Sequence, residues 1–241
     1  MFSYGLGDAG TGLVATQFGF FLFKFFISAG LPVIIAGSLL MLIKIWDAVN
    51  DPLIGWLSDR TKSRWGPRIP WMVAASVPLG FSLAAIWWTP TGSVLTKTIY
   101  YAIISIIVMT AYTSINLPFA ALSTEISEKT AIRTRLNASR FTGSIIAGLT
   151  GLIIAGVVLG SEGSANNEYF LMGKISGCIA VAATLISCWG LAPFAKKARR
   201  PSGKVEAITL QFKRIFRNKK FLKVITLYIL LWCALQLMQT V

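Results

Sequence analysis

The chain has no histidine, and only nine acidic side chains against 23 basic ones in 241 residues. Without imidazole there is no histidine general base and no histidine metal ligand. Charged residues of both signs make up 13% of the chain, about half of what a soluble domain carries. The three cysteines, Cys178, Cys188 and Cys233, lie singly in apolar runs. They have neither metal-ligand spacing nor the pattern of a disulfide framework. The chain also lacks a Walker A loop, a glycine-rich dinucleotide loop and a Gly-x-Ser-x-Gly elbow, so ATP-driven transport, cofactor chemistry and serine hydrolysis have no residues to carry them. The expectation is a protein that is not an enzyme and holds no cofactor.

Apolar residues, 55% of the total, gather into runs of about 20, long enough to cross a hydrocarbon layer about 30 Å thick. The expected fold is therefore all-α: a polytopic membrane protein. Six spans are predicted, at about 11–28, 32–58, 70–88, 98–122, 136–159 and 169–193. They form an N-terminal six-helix bundle over residues 1–194. A basic middle loop over 195–220 and the start of a seventh helix over 221–241 follow. The first run has no basic region before it and reads as a retained span, not a signal peptide.

The net charge of +14 does not point to nucleic acid, because the basic residues sit in loops between the runs. The loops after spans 2, 4 and 6 are basic and those after 1, 3 and 5 nearly free of base, which places the N-terminus and the basic loops in the cytoplasm of a plasma (inner) membrane protein. Residues 208–217 alternate apolar and basic residues at helical spacing and suit an anionic membrane surface. Trp87 and Trp88 read as interfacial anchors. Gly143, Ala147, Gly151 and Ala155 recur every fourth residue and mark a face for close helix packing.

Span 2 stands apart. Lys44, Asp47 and Asp51 share one of its faces, where each ionised group costs about 2.5–3.5 kcal/mol at mid-bilayer on insertion scales. The trio can be a structural ion pair that neutralises part of itself. It can also be a site: two carboxylates one turn apart suit Na⁺ or Li⁺, which take oxygen ligands, or a proton, which close carboxylates share. Asn50 and Thr113 can add neutral oxygens. Pro52 frees a carbonyl on the preceding turn, which favours the site.

Asp59, Arg60, Arg64 and Arg68 end span 2 at the cytoplasmic side, either as a latch between helix ends or as a topogenic loop. Arg140 reaches membrane depth if span 5 begins near Ile132, and then needs a partner, for which Asp47 or Asp51 is available. Tyr112, Thr113 and Asn116 interrupt span 4 with polar groups that line a cavity or join helices. Arg140, Asn116, Tyr112 and Lys44 are the candidate solute contacts.

These residues resemble a known family. Ile45 to Trp56 (IWDAVNDPLIGW), followed by Asp59 to Gly66 (DRTKSRWG), is similar to the signature of the glycoside–pentoside–hexuronide:cation symporters, the melibiose permease family of the major facilitator superfamily. Tyr4 to Asp8 (YGLGD), Tyr112 to Phe119 (YTSINLPF) and Arg133 to Phe141 (RTRLNASRF) resemble further segments of that family, in order along the whole chain. The resemblance implies sugar uptake coupled to Na⁺, Li⁺ or H⁺ by alternating access, a cation site at Asp47 and Asp51 with Asn50 and Thr113 nearby, and a sugar contact at Arg140. It also implies a lipid bilayer setting and a C-terminal half chain as partner. Three positions depart: the family's acids of spans 1 and 4 fall on Gly12 and Asn116, and a tryptophan falls on Ala120. This leaves the cation half of the pattern and removes the galactoside half. A different sugar, a uronide or a non-sugar solute is then expected, with a more cationic pocket around Arg140 favouring an anion; the competing expectation is a transport-inactive membrane fragment that needs a partner chain.

Overall fold

The computed structural model describes residues 2–127, 129–160, 165–197, 218, 221–228 and 230–231. The chain divides into two compact units, Met1–Pro201 and Ser202–Val241.

The first unit is helical: α1 (Phe2–Gly7), α2 (Ala9–Ser28), α3 (Val33–Arg60), α4 (Ile69–Ile86), α5 (Val94–Ile126), α6 (Thr130–Leu159) and α7 (Ala165–Lys197). Among the described residues, six helices are long and apolar enough to cross a membrane. Apolar side chains such as Ile34, Phe81 and Val157 cover the outside of the bundle, as the hydrocarbon of a bilayer requires.

The last three helices, α5, α6 and α7, outrun their hydropathy patterns. The fourth span covers Val94–Ile126 rather than 98–122, and the fifth begins at Thr130 rather than 136. Hydropathy reports the lipid-facing stretch, whereas backbone bonding continues into polar turns until a cap stops it. Ser93 is such a cap for α5, its hydroxyl accepting from the Thr96 amide at 3.3 Å. The largest shift is at the start. Helix begins at Phe2, not near Thr11, and is interrupted only at Asp8. The Gly12 amide still donates to the Asp8 carbonyl at 2.8 Å, so the helical bonding spans the interruption.

Small residues set the packing. α2 lies along α6, α4 between α5 and α7, α3 along α5, and α1 against both α6 and α7. A Cβ added at Gly143 would lie 2.0 Å from the Gly5 carbonyl oxygen, and one at Gly12 would lie 2.4 Å from Ser144 Oγ. The stripe on α6 is thus the surface that admits the backbone of α1 and α2, in a solvent where close packing has to replace the hydrophobic effect.

Trp87 corrects an expectation. It is not an interfacial anchor but fully buried, stacked on Tyr169 at 5.7 Å between ring centroids and packed edge-on to Phe25. Only Trp88 is exposed. Neighbouring residues on a turning chain face different directions, so a Trp-Trp pair at a helix end supplies one anchor and one core residue. Nearby, Gly30 turns the chain after α2 with φ of 88°, a conformation that glycine adopts without strain. Lys97 Nζ donates to the Ala29 carbonyl at 2.7 Å beside it.

In the second unit, residues 221–228 and 230–231 are helical, where the seventh helix is expected to start. The surface-lying segment expected at 208–217 lies outside the described residues.

Candidate functional site

Three side-chain bonds join α3 to α5. Trp46 Nε1 donates to Thr110 Oγ1 at 3.0 Å, Thr113 Oγ1 to Asp47 Oδ1 at 3.3 Å, and Asn50 Nδ2 to the Met109 carbonyl at 3.5 Å. Asp47 and Asp51, one turn apart on α3, are both half-buried, and Thr113 faces both carboxylates. The Pro52 ring follows directly and lies inside the helix.

Lys44 is not part of this group. It is exposed and makes no ion pair among the described residues. Three-residue spacing puts Lys44 beside Asp47 on the helix surface, but its long side chain reaches outward instead. The two carboxylates are therefore not neutralised by the lysine expected to do so. A hydroxyl and two carboxylates form an all-oxygen donor set, which fits a hard monovalent cation or a proton. No group of three or more His, Cys, Asp or Glu side chains is assembled among the described residues.

Arg140 has a different partner from the expected ones. It lies ten residues into α6, about 15 Å along the helix, and its Nε bonds Asp8 Oδ2 at 3.0 Å. Its Nη2 donates to Asn116 Oδ1 at 2.7 Å, and its guanidinium lies over the Phe119 ring. The other Asp8 oxygen accepts from Thr11 Oγ1 at 2.8 Å. Asp47 and Asp51 are not bonded to Arg140. Asp8 is closer because α1 and α2 press into the small-residue face of α6, carrying the start of the first span against Arg140. The surroundings of Arg140 are correspondingly less cationic than expected.

Tyr112 stands between the two groups. Its phenol is within electrostatic reach of Asp8, Asp47, Arg140 and Asp51. On α5, Thr113 serves one carboxylate group and Asn116, three residues on, serves Arg140. These are neighbouring positions on one helix face.

At the end of α3, Arg68 joins Asp59 at 2.5 Å, Glu125 at 2.8 Å and Ser58 at 2.7 Å. Arg60 and Arg64 do not enter this cluster. Arg60 stacks over Trp56 at 3.8 Å and Arg64 lies over Trp65 at 5.4 Å. One Glu125 oxygen is buried with no hydrogen-bond partner.

Two participants were missed in the sequence reading, Asp8 and Glu125. Asp8 had a signal: it is the only charged residue among the first 23, in a segment whose glycines at 5, 7, 10 and 12 promise close packing. Glu125 had none, since it reads as one more loop acid until α5 is seen to extend through it.

The family model described as MFS/sugar transport protein matches residues 3–241. An uncharacterized symporter of Synechocystis sp. is 37% identical over 206 residues, 83% of this chain and 38% of that protein. A glucuronide carrier protein homolog of Escherichia coli is 29% identical over 154 residues, 63% of this chain and 33% of that protein. A sodium-dependent lysophosphatidylcholine symporter of Xenopus tropicalis is 28% identical over 161 residues, 66% of this chain and 31% of that protein. The chain thus spans less than two fifths of the length of these relatives. With six apolar helices, the expected small-residue packing and a match over nearly its whole length, the chain is a multi-pass membrane protein that belongs to the MFS/sugar transport family.

Proposed function

We propose that this chain is the coupling part of a symporter that moves a sugar-like solute across the plasma (inner) membrane with Na⁺, Li⁺ or H⁺, its N-terminus in the cytoplasm. One observation carries the reading: Asp47 and Asp51 lie together on α3, with the Thr113 hydroxyl against them and, among the described residues, no basic side chain bonded to either. Two uncompensated carboxylates in a span are unfavourable unless a cation visits them. The cation is cargo here. On binding, it neutralises the pair and lowers the cost of a closed, dry intermediate. Any state that binds the cation better is then populated in its presence. Solute affinity rises in that same state, with reciprocal effect on the cation.

Arg140, Asn116 and Tyr112 form the solute side. Asp59 and Arg68, with Glu125, form a cytoplasmic cluster that holds the ends of α3 and α5 together with the loop between α3 and α4 while the cavity is closed on that side. Transport needs a second bundle across the path, and the greater length of the relatives supports a C-terminal half as partner.

Counterflow of labelled glycosides in vesicles, with and without Na⁺, tests the reading. Cation stimulation is expected to vanish in Asp47→Asn and in Asp51→Asn. Stimulation that survives both substitutions sinks the cation site. A second reading, a lipid-like solute, is favoured by the vacated positions at Gly12, Asn116 and Ala120 and by the lysophosphatidylcholine symporter among the relatives. Counterflow of lysophosphatidylcholine in place of glycosides decides for it.

A further inference from the structure

Arg140 can recognise a solute only with whatever charge its own surroundings leave it. Its side chain is 17% exposed, and that of its partner Asp8 is 8% exposed. The Asp8 carboxylate is fully engaged, one oxygen on Arg140 Nε and the other on Thr11. Asn116 takes the opposite edge of the guanidinium through its oxygen. The group as a whole is neutral.

We infer that Asp8 is a specificity-determining residue: by neutralising Arg140 from within the chain, it makes this pocket select a neutral polyhydroxyl solute over an anionic one. The inference rests on the reading of Arg140 as a solute contact. An incoming carboxylate has two routes. It can displace Asp8, which then stays buried and loses its partner, or it can add a second negative charge beside Asp8. Both are unfavourable in a water-poor interior. A hydroxyl meets neither obstacle, since it donates to a carboxylate oxygen and accepts from the guanidinium.

The location of Asp8 strengthens this. Side chains at 8 and 12 are four apart and share a helix face. Position 12 has no room for any side chain, because a Cβ there would lie 2.7 Å from the Ser144 carbonyl oxygen. Asp8 lies one turn earlier, where Arg140 of α6 bonds it at 3.0 Å. Together with Asn116 it encloses Arg140 from two helices.

The test titrates the purified 241-residue chain in detergent micelles with methyl glucoside, methyl glucuronide and benzoate, read through its tryptophan fluorescence. Wild type is expected to bind the glucoside at least about tenfold more tightly than the glucuronide. In Asp8→Asn the preference shifts towards the glucuronide by about tenfold or more, and affinity for benzoate appears. Both gains disappear in the double variant Asp8→Asn/Arg140→Gln, while Asp8→Glu keeps the wild-type preference. A wild type that favours the glucuronide overturns the inference, as does Asp8→Asn with no gain for either anion, or Asp8→Glu behaving like Asp8→Asn. If wild type binds neither glycoside, the sugar reading fails by itself. The benzoate gain of Asp8→Asn, lost in the double variant, still decides the role of Asp8. Should Asp8→Asn fail to fold, the wild-type preference between the two glycosides decides it.

Discussion

Asp8 and the pair Asp47/Asp51 are carboxylates of one bundle in opposite circumstances. Asp8 is 6% exposed and has both oxygens bonded, to Arg140 and Thr11. Asp47 and Asp51 are half-buried and share one threonine hydroxyl, with no cationic side chain on them among the described residues. A carboxylate whose charge is matched inside the protein holds helices together. One whose charge is left open is, under the proposed function, the place for a mobile cation. Burial alone would have ranked them the other way, with Asp8 as the expensive group.

The sharpest way to break this contrast is to remove Arg140. Arg140→Gln leaves Asp8 buried and unpaired, and a loss of about 3–5 kcal/mol in stability is expected. Asp8→Asn/Arg140→Gln should recover most of it, because the uncompensated charge goes too. Asp47→Asn and Asp51→Asn are expected to leave stability unchanged or raise it, since they remove repulsion between neighbouring carboxylates. Thermal unfolding of the four proteins in one detergent is the measurement. Equal losses for Arg140→Gln and Asp51→Asn would mean that the two sites do not differ in kind.

The reverse pattern is expected for cation binding. Asp47→Asn and Asp51→Asn should each weaken Na⁺ by about a hundredfold, about 2.7 kcal/mol. Isothermal titration with Na⁺ reads this directly, and Asp8→Glu serves as the carboxylate that should not matter. Between these effects lies one of packing. Gly143→Ala places a methyl against the Gly5 carbonyl oxygen, and overpacking of about 1–3 kcal/mol is expected. Gly156→Ala, with no atom within 4 Å of the added Cβ, should be neutral or slightly favourable. If Gly143→Ala also loosens the Asp8–Arg140 pair while leaving Na⁺ binding intact, the two carboxylate groups are mechanically as well as chemically separate.

The number and order of spans were legible in the sequence because lipid imposes long apolar runs. Asp47 and Asp51 were legible because charge at membrane depth is conspicuous, and Thr113 because it interrupts an apolar span with a polar group. Asp8 was not, since hydropathy starts the first span only at about Thr11, and an acid just outside a span attracts no question. The pairing with Arg140 is hidden for the same reason: hydropathy places only Asp47 and Asp51 at its depth. Helix packing, which no single-chain periodicity reveals, brings the first turn of the chain against α6. Trp87 shows the same limit, its burial being decided by Tyr169 from a helix about 80 residues away.

Lys44 gives the smallest expected effect and the finest test of the contrast. Sequence spacing places it with Asp47, yet in the structure it is exposed and unpaired. An exposed charge without a bonded partner contributes little, so Lys44→Met should change stability by less than about 0.5 kcal/mol. Na⁺ affinity should rise slightly or stay constant, because a positive charge near two carboxylates can only compete with the cation. Thr113→Ala, which removes a bonded oxygen, should cost about 1 kcal/mol of cation affinity. A Lys44→Met protein that loses as much Na⁺ affinity as Thr113→Ala would place the lysine inside the cation site. The pair would then be internally compensated after all, and the distinction from Asp8 would be one of degree.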